Sequence, residues 1–195
     1  MPFNTPNAAT YDLLMNRRSV KARDMVGPGP NRKDMEKILA AALRVPDHGK
    51  LFPWRYLVLE GAEREKLGEL ISRALVEENE ANPKTAEKMK GYATQGPVLV
   101  VAISSTTGES SIPVWEQELS AGAACQNMIV AANALGFASC WLTGWASYSP
   151  TVKGGLGLAP HENIAGFIFF GNQASEPEER PRPEFDAHVK WGFPS

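Results

Sequence analysis

The spacing of apolar positions divides the chain into helical and extended stretches. Tyr11, Leu14 and Met15 share one face of a short helix that ends near Arg18. The Gly27-Pro28-Gly29-Pro30 run then breaks regular structure. Asn31 followed by Asp34 has the form of a capping box. Met35, Ile38, Leu39, Ala42 and Leu43 follow at i, i+3, i+4, i+7 and i+8, predicting a second helix with a buried stripe. It stops before Pro46, because the residue preceding a proline disfavours helical geometry. Residues 54–60 have the aromatic and branched content of a strand; 62–79 and 83–90 read as charged amphipathic helices. Residues 98–103 form an unbroken apolar run bounded by Pro97 and a polar cluster, the pattern of a strand covered on both faces.

A long helix is predicted over 115–135. Its second half, from Ala121 through Met128, Ile129 and Val130, is apolar or small nearly all round and is expected to be buried. Residues 137–142 and 164–171 are two more strands, separated by a helix start at Ser149-Pro150 and a stop at Gly157-x-x-Pro160. The tail over 174–183, rich in Glu, Pro and Arg, reads as an extended surface arm. Helices first, then strands interleaved with helices, imply an α+β layer architecture.

Composition narrows the function classes. At 195 residues the chain suits one domain with a substantial core, and no segment reads as a linker. Lys and Arg number 20 against 22 Asp and Glu, with no basic block to follow a nucleic-acid backbone or an anionic membrane. No stretch approaches the roughly 20 apolar residues of a membrane helix, and the N-terminal region lacks a secretory signal, so a soluble cytoplasmic protein is expected. Cys125 and Cys140 have neither metal-ligand nor CxxC spacing and are expected to be buried free thiols. His48, His161 and His188 show no local metal spacing. Gly154-Gly155-Leu156-Gly157 falls at a helix end, so it is no dinucleotide fingerprint, and a Gly-x-Ser-x-Gly elbow is missing.

Two stretches after amphipathic runs carry the candidate chemistry. Arg17 and Arg18 set two guanidinium forks beside the Ser19 hydroxyl; Arg44 and His48 lie about one helical turn apart at the end of the second helix. Such a set suits a phosphate attached to a heteroaromatic ring.

The order Arg17-Arg18-Ser19, then Arg44-x-Pro46-Asp47-His48, an aromatic extended segment and a late Gly157-Leu158-x-Pro160-x-x-x-Ile164-x-Gly166 resembles the nitroreductase family. It is most similar to a compact branch that carries Arg-Arg-Ser, Pro-Asp-His and Trp-Glu-Gln-Glu, and the likeness covers about residues 10–172. The resemblance implies a central, mainly antiparallel sheet flanked by helices, with the long central helix at a homodimer interface. It implies a single flavin-binding domain over 1–195, with a C-terminal arm over about 173–195. It further implies FMN as cofactor and NAD(P)H as co-substrate, in a ping-pong transfer to a nitroaromatic, quinone or other electron-poor small molecule.

By the same resemblance, Arg17, Arg18 and Ser19 match the segment that grips the FMN phosphate and ribityl end. Lys21 matches a basic residue near the ring, although Asp24-Met25 stands where relatives often carry an aromatic. Arg44 and His48 match flavin contacts contributed across the dimer interface. Trp141, Leu142 and Thr143 match a third flavin segment; Leu142 replaces a basic residue there, so contact is expected through backbone groups. Ala131, Ala132, Asn133, Ala134, Leu135 and Gly136 match a stretch assigned to the pyridine nucleotide, though the residues read more naturally as a buried helix end. Trp115, Trp145, Trp191 and Phe185 are candidates for a pocket wall. No catalytic side chain is expected, since the protein's part is to position donor and acceptor and tune the ring. The alternatives are another FMN enzyme of this fold, dehalogenating or flavin-fragmenting, with a variable lid over 77–95, or a non-catalytic flavin-binding protein.

Overall fold

The computed structural model describes residues 5–193. Helix α1 (Ala8–Asn16) begins where the Asn7 side chain accepts the Thr10 N–H. Helix α2 (Arg32–Ala42) begins in the same way, with Asn31 capping Asp34. Helices α3 (Ala62–Asn79) and α4 (Pro83–Lys90) occupy the two charged amphipathic stretches. They pack closely enough that a Cβ on Gly68 would lie 2.0 Å from the Lys90 carbonyl oxygen.

The strands are β1 (Met25–Val26), β2 (Trp54–Leu59), β3 (Val98–Ser105), β4 (Ala138–Leu142) and β5 (Glu162–Gln173). They form a five-stranded antiparallel sheet in the order β1-β5-β3-β2, with β4 also paired to β5. Successive side chains of β3 point to opposite faces. Val98, Val100 and Ala102 join Met35, Ile38, Met128 and Ile168 in one core cluster, beneath α2 and α5 (Val114–Ala134). Leu99, Val101 and Ile103 join Leu67, Ile71, Phe167 and Phe169 in the other, beneath α3 and α7 (Pro150–Gly155). A strand buried on both faces has no polar alternation left to show, which is why β3 reads as a continuous apolar run.

Cys125 and Cys140 are free and buried, one in each cluster. Burial pushes the Cys125 thiol up to about 12. Among the described residues no helix is long and apolar enough to cross a membrane.

Three expectations need correction. Leu43 ends α2 52% exposed, because the helix closes at Ala42 and Leu43 is its cap. Within the single chain the second half of helix α5 is not buried on all sides: Ala121, Ala124, Met128 and Ala132 face the core, whereas Gln126 is exposed and Gly122, Ala123 and Val130 are half-buried. Its small residues thus divide between the sheet and an uncovered stripe. The arm over 174–183 is extended as expected, yet it packs back onto Arg17 and Arg18. The short helices α6 (Trp145–Tyr148) and α8 (Phe185–His188) are less than two turns and left no periodic signal.

Candidate functional site

Helix α1 closes with the Arg17 N–H on the Leu13 carbonyl at 2.8 Å. The chain then runs extended along β4, held by a hydrogen bond from Val20 N–H to the Ser139 carbonyl at 3.2 Å. Val20 and Ala22 anchor this segment in the core. Arg17 and Arg18 are left half-buried, and Ser19 and Lys21 exposed.

A cavity of about 770 Å³ opens here, lined by Arg17, Arg18, Ser19 and Lys21 and by Cys140, Trp141 and Leu142 of the neighbouring strand. Arm residues between Ser175 and Arg182 complete its lining. Thr143 lies exposed just past β4.

Positive charge predominates in this cleft. Arg17, Arg18, Lys21, Arg23, Arg180 and Arg182 line it against Asp24, Glu176, Glu178 and Glu179. Arg18 forms an ion pair with Glu179 and donates Nη1 to the Asn16 and Arg17 carbonyls. Arg182 shares the Glu179 carboxylate at 3.0 Å. Arg17 is different: burial, then the like charges of Arg182 and Arg18, push its pKa below the ordinary arginine value. Its buried Nε has no hydrogen-bond partner among the described residues. A buried charged donor without an acceptor is costly, and an anionic ligand oxygen would relieve that cost.

The apolar wall owes its form to a sheet irregularity. On β5, Ala102 and Ile103 of β3 oppose Gly166 and Ile164, so Ala165 is an extra residue. Its carbonyl accepts the Trp141 indole N–H at 3.0 Å. The indole lies so close to Gly166 that a Cβ there would stand 2.0 Å from Nε1. Trp141, still 36% exposed, is thereby held against the sheet beside the cationic segment.

A second cavity, about 580 Å³, shares Arg17, Arg18 and Val20 and is lined by Asn133, Gly136 and Phe137. Of the six residues from Ala131 to Gly136, only Asn133 and Gly136 reach it; Ala132 is fully buried. These residues end α5, where free carbonyls carry partial negative charge, the sign opposite to that which suits a pyrophosphate.

Arg44 and His48 are exposed and line neither cavity of the chain that carries them. Trp115, Trp191 and Phe185 are also exposed, Trp145 is half-buried against the core, and none lines either cavity. Sequence reasoning missed the arm's part in the cleft. Its density of Glu and Arg was a visible signal, but read as solvated surface. The lid candidate over 77–95 contributes only Gln95 to the larger cavity.

An antiparallel sheet between helical layers, with a cationic cleft at the end of its first helix, makes this an α+β protein. Comparison with known sequences makes that class specific. The sequence model described as the nitroreductase family matches residues 14–172, and the chain belongs to that family. An Escherichia coli K12 protein named "Putative NAD(P)H nitroreductase YdjA" is 32% identical over 160 residues, spanning 82% of this chain and 86% of its own. A nitroreductase-like family protein from Bacillus cereus superposes with a TM-score of 0.81 at 22% identity, covering 95% of this chain and 97% of its own. A Bacteroides fragilis nitroreductase with bound FMN superposes with a TM-score of 0.70 at 19% identity, covering 94% and 98%.

Proposed function

We propose that this protein is an FMN-dependent oxidoreductase that takes electrons from NAD(P)H and passes them to a nitroaromatic, quinone or other electron-poor small molecule. The observation that carries the reading is Arg17: a half-buried guanidinium whose buried Nε has no partner among the described residues, crowded by Arg18 and Arg182, at the wall of a cavity that Trp141 and Leu142 also line. A flavin mononucleotide unites the complementary parts, a phosphate and a flat apolar ring. Membership of the nitroreductase family, and relatives named for NAD(P)H or described with FMN, support the same cofactor and donor.

In this reading Arg17, Arg18 and Ser19 hold the phosphate and ribityl end, and Lys21 lies toward the ring. Trp141, Leu142 and Thr143 supply its apolar wall and backbone contacts. Bound FMN supplies the capacity to accept a hydride from the nicotinamide and to return electrons to an acceptor. The chain's own residues bind, orient and exclude water. Of the stretch from Ala131 to Gly136, Asn133 and Gly136 are the members available to a nucleotide.

We read residues 1–195 as one domain that works as a cytoplasmic homodimer; residues 1–4 and 194–195 lie outside the described structure. The uncovered stripe of α5, with Trp115, Leu119, Gly122, Ala123 and Val130 around Gln126, is mostly apolar, and its small residues Gly122 and Ala123 suit a close helix approach. Tyr11, Leu14 and Met15 of α1 add exposed apolar surface, being 64%, 50% and 60% exposed. Pairing through α5 gives Arg44 and His48 a role that they lack within one chain, as flavin contacts offered to the other subunit.

The test is an anaerobic titration of FMN-loaded protein with NADPH and with NADH, following visible absorption. Stoichiometric bleaching is expected. A protein that retains no FMN, or whose flavin neither nucleotide bleaches, would overturn the proposal.

A further inference from the structure

The loop over 43–52 is fastened to one face of α5 by three side chains, Glu116, Ser120 and Asn127, spaced four and seven residues apart. Asn127 donates Nδ2 to the carbonyls of Ala41 at 3.2 Å and Arg44 at 2.9 Å. Ser120 donates its hydroxyl to the Pro46 carbonyl at 2.7 Å and accepts the Trp54 indole N–H at 3.1 Å. Glu116, one turn nearer the helix start, meets His48: Oε2 lies 2.7 Å from Nδ1.

The same loop is braced from within. The Asp47 carboxylate accepts the Leu51 and Phe52 N–H groups at 3.1 and 2.9 Å. It thereby holds a turn in which Lys50 and Phe52 take positive φ of 56° and 50°. Backbone of that kind persists only where its surroundings over-determine it. Within Pro46-Asp47-His48, the aspartate therefore shapes the loop and the histidine is the side chain left facing outward, 63% exposed.

A carboxylate only accepts hydrogen bonds, so the nitrogen facing Glu116 must carry a proton. Glu116 stands in the first turn of α5, where the helix dipole favours its negative charge. Its contact directs Nδ1 inward and leaves Nε2 as the ring atom offered to a ligand.

We propose that Glu116 is a positioning residue that fixes the rotamer and the Nδ1-protonated state of His48, so that Nε2 faces the flavin held by the other subunit. This rests on the reading above, in which His48 meets that flavin; the assignment of Glu116 goes beyond it. Glu116→Gln keeps the shape but replaces an acceptor-only group with an amide that can donate or accept, so the choice of proton position on His48 is lost.

Two measurements on the FMN-loaded full chain test this. Imidazole ¹⁵N shifts, assigned with the His48→Ala variant among the three histidines, are expected to show a protonated Nδ1 in the wild type and a tautomer mixture in Glu116→Gln. FMN affinity, read by flavin fluorescence, is expected to fall about two- to fivefold in Glu116→Gln. It should not fall further when Glu116→Gln is added to His48→Ala.

A wild-type His48 carrying its proton on Nε2 alone overturns the assignment. So does a Glu116→Gln loss that persists undiminished in the His48→Ala background. If His48→Ala itself binds FMN as tightly as the wild type, the reading that His48 meets the flavin fails, whatever the tautomer result.

Discussion

Replacing Arg55 by Met tests how the sheet end beside the bulge is held. Arg55 on β2 places Nε and Nη2 at 2.6 Å from Oε1 and Oε2 of Glu162, at the start of β5. Glu162 also accepts the Ala159 N–H at 2.9 Å, and its side chain is only 6% exposed. The Arg55 hydrogen bonds, helped by those from Ala159 and Ser105, hold the carboxyl down to about 2 against the opposing effect of burial. Against an ordinary glutamate pKa of about 4.3, this is about two units, or about 3 kcal/mol at about 1.4 kcal/mol per unit. Arg55 itself is 38% exposed, and solvent screening lowers its share. Arg55→Met, which keeps the apolar stem but leaves a buried carboxylate unpaired, should cost about 2 kcal/mol at pH 7.

The folded-state pKa is depressed, so this stabilisation is complete above the ordinary carboxylate pKa and is lost as pH falls toward 2. The stability gap between wild type and variant should therefore be full at pH 7 and clearly smaller at pH 3. Urea denaturation followed by tryptophan fluorescence at both pH values measures it. Equal midpoints at pH 7, or a gap that does not narrow at pH 3, would refute the reasoning.

Four further outcomes are expected. Glu179→Gln removes the internal anion from Arg18 and should tighten FMN binding about two- to fivefold in a fluorescence titration, since a half-exposed ion pair competes only weakly; unchanged or weaker binding counts against the competition. Gly166→Ala drives a Cβ into the Trp141 indole and should break its bond to Ala165, seen as a shifted tryptophan emission together with weaker FMN retention; an unaltered spectrum speaks against this packing. Leu119→Asp places a charge on the exposed stripe of α5 and should yield a monomer that releases FMN, by light scattering and absorbance, whereas a flavin-loaded dimer would show that the interface lies elsewhere. Gly68→Ala forces α3 from α4 and should cost about 1–3 kcal/mol in a thermal melt, an unchanged midpoint being the adverse result.

Much of the architecture was legible because it rests on local periodicity and caps. Asn31 and Ser149 each cap the helix whose start they mark. The apolar run of β3 announced a strand covered on both faces, and in the structure helices lie on each. Arg17, Arg18, Ser19, Lys21, Trp141 and Leu142 were singled out from two distant segments, and the structure brings them to one cavity. What joined those segments in the sequence reading was the ordered resemblance to a family; no spacing along the chain reports the hydrogen bond from Val20 to Ser139 that sets them side by side.

The sequence by itself determined the elements and the stock of charged and apolar groups, because helix caps, 3.6-residue stripes and proline stops act over a few neighbouring residues. Only the tertiary structure decided which of those groups meet. It set Glu179 on Arg18 and left the Arg17 Nε without a partner among the described residues. It bound His48 to Glu116 across 68 residues of chain, and it turned one face of a helix of small residues toward the sheet and another away from it. Those outcomes depend on strand register, a single bulged residue and the direction in which an arm returns. All three are fixed by packing between distant segments, and packing of that kind leaves no period in the sequence.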